Sequence, residues 1–301
     1  MSVQAEPRPL ETPLPGGAPD STVIVEPMVT GTFSSPDILH SSPSGEVGNL
    51  KVLRAARGEN SPSPIPAFLI RHPKVGPILV DTGLHPAIAS DPASNLGRFG
   101  TWFYKPRLEH GDDVSAQLRA KGVDPGSIRL VILTHLHIDH ASAIADFPDA
   151  TFIVTGAEWQ AATTGMFPSK RGYHRPQFDY AFDFRTVTFD GPAVNSYASF
   201  GRTIDLFGDG SVRLASTPGH TAGHQSVIVR LKERDMVIGG DAVYLESQLE
   251  SGADLPGRTT DLHNFKRSLQ ELRLFHRTYP NAVITPGHDT EFYENAPEKY
   301  E

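Results

Sequence analysis

His135-Leu136-His137-Ile138-Asp139-His140 places three imidazoles and a carboxylate within six residues, directly after the run Leu130-Val131-Ile132-Leu133-Thr134. The run is short and β-branched, which is the pattern of a buried strand, so the cluster falls in the loop at its carboxyl end. Four polar side chains at such a place would each need a partner of their own. A metal satisfies them together. Imidazole nitrogen and carboxylate oxygen suit Zn²⁺, Fe or Mn, and no thiolate competes because the chain has no cysteine. In an extended or tightly turned loop, His135 and His137 can point one way while Asp139 and His140 point another. That alternation suits two adjacent metals better than one.

Three later tripeptides and tetrapeptides carry further ligand types: Thr217-Pro218-Gly219-His220, Gly239-Gly240-Asp241 and Thr285-Pro286-Gly287-His288. Each follows a short apolar strand, respectively Val212-Arg213-Leu214-Ala215, Met236-Val237-Ile238 and Ala282-Val283-Ile284. One ligand per strand end, with glycine or proline turning the chain, is how a scaffold converges distant residues on one site. Gly219 and Gly287 permit close backbone approach beside the two histidines.

The elements that must do the positioning are strands at 51–55, 67–71, 78–80, 129–134, 151–155, 212–216, 225–231, 236–239 and 282–285. Helices are expected at 112–121, 157–163 and 261–278. The last is the clearest: Asp261 is a candidate N-cap, and Leu262, Phe265, Leu269, Leu272 and Phe275 keep helical spacing before Pro280. A chain of 301 residues can bury about three-quarters of its unfolded surface, ample for a layered core. The ligands come from both halves and must meet, so residues 23–301 are expected to form one domain. Residues 1–22, rich in Pro, Gly and Glu, read as a flexible or strap-like arm without a signal peptide. A net charge of −8 disfavours nucleic acid or anionic membrane as a partner. No apolar run approaches the roughly 20 residues of a membrane span. Absence of cysteine leans mildly towards the cytoplasm.

Taken in order, HLHIDH, TPGH, GGD and TPGH, with Val80-Asp81-Thr82-Gly83 before them, resemble the dinuclear hydrolases of the metallo-β-lactamase superfamily. The resemblance implies an α/β fold, the αββα four-layer sandwich, with two mixed β-sheets, helices outside, and the metals at one edge between the sheets. It implies that His135, His137 and His220 hold one metal, that Asp139, His140 and His288 hold the other, and that Asp241 bridges them. Two divalent ions are expected, Zn²⁺ first, with Fe, Mn or Co as alternatives. Redox-active di-iron relatives resemble HxExDH, so histidine at 137 favours hydrolysis. Water between two cations loses a proton near neutral pH, which supplies the nucleophile.

Within the superfamily, Thr217 to Ser226 and Asp241-Ala242-Val243-Tyr244 resemble the N-acyl-homoserine-lactone lactonases, whose substrate is a small molecule. By that resemblance Tyr244 lies beside the substrate carbonyl, where a phenol could donate to the developing oxyanion. The alternative is a core tyrosine satisfied locally. Asp139 could deliver a proton to the leaving alkoxide. Gly257, in Asp254-Leu255-Pro256-Gly257, could offer a backbone donor to the substrate amide. Asp81 and His224 are candidates to orient the ligand imidazoles, against simple turn stabilisation and a structural role. The family usually has glycines after HxHxDH, whereas this chain has Ala141-Ser142-Ala143. Two aromatic-rich insertions, Phe99-Gly100-Thr101-Trp102-Phe103-Tyr104 and the segment from Met166 to Phe184 (with Phe167, Tyr173, Phe178, Tyr180, Phe182), could wall an acyl-chain pocket, face a partner in a homodimer, or pack as local minicores. His40, His72, His85, His110 and His174 are expected in solvent, and His263 and His276 on the surface of their helix. Two other readings stand: a phosphotriesterase or aryl-ester hydrolase on the same metals, and a metal-binding scaffold without turnover.

Overall fold

The computed structural model describes residues 4–42, 47–58, 60–164 and 168–301. Period-two alternation organises the interior. Phe68 and Ile70 face one way and Ala67 and Leu69 the other; Val227 and Val229 oppose Ile228; Met236 and Ile238 oppose Val237. Strands with two apolar faces must be covered on both, which requires sheet on sheet with helices outside.

The first sheet holds β1 (Arg8–Pro9), β2 (Ile24–Phe33), β3 (Ser63–His72), β4 (Gly76–Val80), β5 (Leu130–Ile132), β6 (Thr151–Thr155) and β7 (Asp183–Val187), in the order β1-β7-β6-β5-β4-β3-β2. The second holds β8 (Val194–Tyr197), β9 (Phe200–Asp205), β10 (Val212–Ser216), β11 (Gln225–Arg230), β12 (Asp235–Ile238) and β13 (Val283–Thr285), in the order β13-β12-β11-β10-β9-β8. Both are mixed: β4 to β7 run parallel while β2-β3-β4 are antiparallel, and β12-β13 is the parallel pair of an otherwise antiparallel sheet. Phe68, Ile70, Val80 and Ile132 meet Leu214, Val227, Val229 and Ile238 between the sheets. The helices are α1 (Asn49–Ala55), α2 (Pro92–Tyr104), α3 (Val114–Ala120), α4 (Gly156–Thr163), α5 (Leu262–Thr278) and α6 (Thr290–Glu294). Val114, Leu118, Trp159 and Ala162 of α3 and α4 cover the outer face of the first sheet, and Phe265, Leu269, Leu272 and Phe275 of α5 cover that of the second. Full burial of side chains of this size stabilises by about 1.5–3 kcal/mol each. The expected αββα sandwich is the observed architecture.

α5 starts as its sequence indicates, with the Asp261 carboxylate accepting from Asn264 N–H at 3.0 Å. Other elements differ from expectation. Residues 51–55, expected as a strand, are helical. The buried positions there are Val52 and Ala56, four apart and packed with Phe103, while Leu50 and Leu53 are exposed, so the apolar period is that of a helix. The first aromatic insertion is α2, capped by Asp91, started by Pro92, and kinked at Gly97 where φ is 70°. β2 has no clear strand pattern in its sequence because Pro27 and a bulge between Val29 and Thr32 interrupt it; as an edge strand it tolerates both. β7, β8 and β9 are likewise strands that the sequence pattern does not mark.

Residues 4–22 lie against the protein: Arg8–Pro9 extends the first sheet beside β7, and Leu14 N–H donates to Leu206 O just past β9. In the second insertion, Phe178 and Phe184 pack with Trp159 and Phe152 as part of the main core over the first sheet, not as a separate minicore. Met166 and Phe167 lie outside the described residues. Among the described residues no helix is long and apolar enough to cross a membrane.

Candidate metal centre

Every candidate ligand sits just beyond the carboxyl end of a strand. His135, His137, Asp139 and His140 follow β5, His220 follows β10, Asp241 follows β12 and His288 follows β13. The two sheets are tied at this edge by Gln225, whose backbone N–H donates to Thr134 O at 3.0 Å and whose side chain donates to Leu133 O at 2.9 Å. Close approach completes the convergence. A Cβ on Gly219, where φ is +135°, would stand 2.1 Å from Phe265 N, and one on Gly287 would stand 2.5 Å from Asp241 Oδ1. Side chains are excluded at both positions.

The seven side chains divide into two nests sharing one carboxylate. His220 Nε2 stands 2.8 Å from His137 Nδ1 and 3.1 Å from His135 Nε2. Asp139 Oδ2 lies 3.5 Å from His288 Nε2 and 3.6 Å from His140 Nε2. Asp241 presents one oxygen to each nest: Oδ2 is 3.3 Å from His220 Nε2 and 3.9 Å from His135 Nε2, while Oδ1 is 3.3 Å from both His140 Nε2 and His288 Nε2. Three imidazole nitrogens so close cannot all be satisfied by shared protons, because each proton bonds only one neighbour. His140 Nε2 and Asp241 Oδ1 are buried with no hydrogen bond of good geometry. Each nest could hold a metal ion, as could His135, His140 and Asp241 together. Nitrogen and oxygen donors of this kind fit two divalent ions.

Of the other ring nitrogens, His137 Nε2 is buried without a hydrogen-bond partner among the described residues, and three are anchored outside the nests. His140 Nδ1 donates to Asp81 at 2.7 Å, His288 Nδ1 to Pro64 O at 3.0 Å, and His135 Nδ1 to Thr134 Oγ1 at 3.0 Å. Asp81 also accepts from Thr134 N–H and Oγ1–H, both at 2.7 Å. These bonds leave Nε2 of each ring bare towards the centre. Burial holds the imidazoles of His135 and His220 well below the usual histidine range. For His140 burial acts in the same direction, but Asp139, Asp81 and Asp241 outweigh it and raise it well above that range.

His224 has a fixed tautomer. Asp241 N–H donates to its Nε2 at 3.0 Å, so its proton sits on Nδ1, 2.9 Å from Thr217 Oγ1. Burial, against the pull of Asp241, lowers it to about 3. It therefore anchors the backbone of Asp241 and has no free lone pair for a metal.

Tyr244 lies 2.7 Å from His220 Nδ1 through its hydroxyl and lines a cavity of about 320 Å³ above the nests. If His220 Nε2 faces a metal, Nδ1 carries the proton and the phenolic oxygen accepts it. The phenol's own proton is then free for another acceptor. Gly257 does not serve as expected. Its N–H donates to Leu39 O at 3.0 Å, and a Cβ there would stand 1.9 Å from Ile38 O, so the strand-like packing of this segment consumes the donor.

Several site residues had no sequence signal. His40, expected in solvent, is enclosed: Ser35 Oγ and Ser63 Oγ each lie 3.2 Å from its ring nitrogens, and its ring stacks 5.3 Å from His288 and 5.6 Å from Tyr244. Burial, then His288, lowers it to about 3 against Asp241. His72 is buried too, bonded to Ser211 Oγ at 3.0 Å, and His85 and His174 are half-buried, whereas His110 is exposed. Phe33, Phe103 and Tyr104 form a cavity wall. Burial, then Asp139, raises the Tyr104 phenol above the usual tyrosine range.

Glu158 is the missed residue that a pattern could have found, since Thr155-x-x-Glu158 is a capping-box sequence at the start of α4. Fully buried, it accepts from Leu136 N–H at 3.0 Å and Gly223 N–H at 3.2 Å, which pins two ligand loops together. Glutamine can accept only one of these N–H groups well. Glu158→Gln should therefore lower the unfolding free energy of metal-replete protein by about 1–3 kcal/mol. Urea denaturation reads it, and unchanged stability would show that the loops hold without this carboxylate.

A two-sheet αββα scaffold with paired His/Asp nests at one edge defines the class, a metal-dependent hydrolase. The chain belongs to the metallo-β-lactamase superfamily, whose family pattern matches residues 60–288. It is 34% identical over 259 residues to the N-acyl homoserine lactonase AttM of Agrobacterium fabrum (strain C58), covering 85% of this chain and 94% of that one. Its fold is similar to that of an N-acyl homoserine lactone hydrolase solved with the product N-hexanoyl-L-homoserine at its catalytic metal centre (TM-score 0.70, 22% identity, 92% of this chain and 97% of the other). It is also similar to AidC, a dizinc quorum-quenching lactonase (TM-score 0.58, 16% identity, 92% and 90%).

Proposed function

We propose that this protein is a dinuclear metal-dependent lactonase that opens N-acyl-homoserine lactones. The observation that carries the reading is the two-sided Asp241 carboxylate beneath a cavity bordered by both Asp139 and Tyr244. The likeness to AttM supports the substrate class. On this reading His135, His137 and His220 hold one ion, Asp139, His140 and His288 the other, and Asp241 both. Bound there, two divalent ions, Zn²⁺ in our assignment, make water acidic enough to attack and polarise a carbonyl.

The chain's own groups do the rest. Asp241 spans the nests and sets their separation, with His224 holding its backbone. The Tyr244 phenol accepts from His220 and turns its own proton towards the lactone carbonyl oxygen, where negative charge develops in the transition state. Asp139, at the cavity edge, would take up the proton that the attacking water gives up and deliver it to the ring oxygen as the ester bond breaks. Phe33, Leu39 and Phe103 exclude water and receive the acyl chain.

The test is a panel of lactones of varied acyl length, aryl esters, phosphotriesters and β-lactams on metal-replete protein. Lactones should be turned over best. Turnover confined to phosphotriesters or aryl esters would replace the lactonase with one of those hydrolases. Tyr244→Phe keeps the ring and removes the donor. It should lower kcat on lactones roughly tenfold or more, with a smaller change in KM. Equal rates for variant and parent on every lactone would refute the role of Tyr244.

A further inference from the structure

The donors around the cavity are mostly committed. Ser35 and Ser63 both bond the neutral ring of His40, one giving a proton to it and the other receiving one, the Tyr244 proton is assigned to the lactone carbonyl, and Arg171 donates to Ala161 O and Thr164 O at 2.8 and 2.9 Å. The Tyr104 phenol lines the same cavity with no hydrogen-bond partner among the described residues. It belongs to the C-terminal end of α2, where its half-buried ring stacks on Phe33 at 4.9 Å and meets Phe103 edge-on at 4.9 Å. Those rings belong to the apolar wall. Asp139, Asp241 and Tyr244 line the polar floor of the same cavity. Tyr104 thus stands where polar floor gives way to apolar wall. Other unpartnered donors border the cavity less favourably: the Thr259 hydroxyl is itself buried, and Arg258 and Thr260 are exposed to solvent.

An N-acyl-homoserine lactone has the same order of parts. Its lactone ring must reach the floor, its acyl chain needs the wall, and its amide joins the two. The amide is attached to the carbon next to the lactone carbonyl, so a ring held over the floor puts the amide carbonyl at the junction. A buried amide carbonyl requires a donor, and the Gly257 N–H is already consumed by Leu39.

Resting on the lactonase reading, we propose that the Tyr104 hydroxyl donates to the amide carbonyl of the substrate and thereby distinguishes N-acyl lactones from lactones without an amide. A neutral phenol suits this role, because it stays a donor and brings no charge near Asp139.

The test pairs Tyr104→Phe and parent, both metal-replete, with an N-acyl-homoserine lactone and an α-alkyl-γ-butyrolactone of equal length in which methylenes replace the amide. The double comparison isolates the phenol–amide coupling. Parent protein should prefer the amide substrate through KM. Tyr104→Phe should raise KM for that substrate roughly 3–10-fold, leave kcat within about twofold, and leave the alkyl lactone's KM within about twofold. Equal changes on both lactones, a fall confined to kcat, or no change on the amide substrate would overturn the proposal while leaving the lactonase reading intact. Should the variant melt early, the parent's preference decides alone, and equal KM values for the two lactones overturn the proposal. Parent protein that opens neither lactone would overturn the lactonase reading and this inference together.

Discussion

Protein stripped of metal by a chelator will lose hydrolysis and melt at a lower temperature, and both properties will return when divalent ions are restored. The seven buried or nearly buried donors face one another across two nests, with His220 Nε2 only 2.8 Å from His137 Nδ1. Without ions, their lone pairs and the Asp241 carboxylate lack the partners that burial demands. Ions that bind only the folded state stabilise it by about 2.7 kcal/mol when free metal is a hundredfold above Kd. In a chain of 301 residues that corresponds to a shift of roughly 4 °C in Tm for each ion bound. Elemental analysis of protein purified without chelator should approach two equivalents per chain. A value fixed near one in metal-replete protein would remove the bridging role from Asp241. An unchanged melting temperature after verified stripping would mean that the nests are held by the scaffold alone.

Asp139→Asn is expected to keep most of its metal and lose most of its turnover. The amide retains an oxygen in nearly the same place, 3.5 Å from His288 Nε2 in the parent, but can neither take up the proton from water nor pass it to a leaving alkoxide. General acid catalysis typically contributes 10²–10⁴-fold, so kcat should fall by about 10² or more on lactones. Activated aryl esters, whose leaving groups depart unaided, should suffer less. Metal content and kcat must be measured on one preparation, because loss of the ion alone would also abolish activity. Near-normal kcat in a fully metallated variant would sink the acid role.

Local spacing encodes part of this molecule directly. The α5 helix is legible because Phe265, Leu269, Leu272 and Phe275 repeat with helical period behind a capping Asp261. β6 and β10 are legible to the residue because short apolar runs with clear borders leave no rival element. α1 is not, since Val52-Leu53 is a short apolar pair that suits a strand as well as a helix, and only the contact with Phe103 selects Val52 and Ala56 as the inward pair. The binding wall is equally hidden. Tyr104 looks like any residue of an aromatic stretch, and which of Phe99, Trp102, Phe103 and Tyr104 face the cavity depends on the kink at Gly97.

The sequence by itself determined the chemistry available here, and with it the fold class. Histidine and aspartate at the ends of strands are costly to bury unless they share a cation, so their order along the chain already implied convergence. Tertiary structure alone decided how each group is used. It put Asp81 on His140 and the Asp241 N–H on His224, placed Asp241 between two nests, spent the Gly257 donor on Leu39, and enclosed His40 against Tyr244 and His288. Those contacts join residues far apart in the chain, and hydrogen-bond direction and burial exist only once both partners are in place. A residue's type states what it can donate or accept; only its neighbours in space determine which of those bonds remains for the substrate.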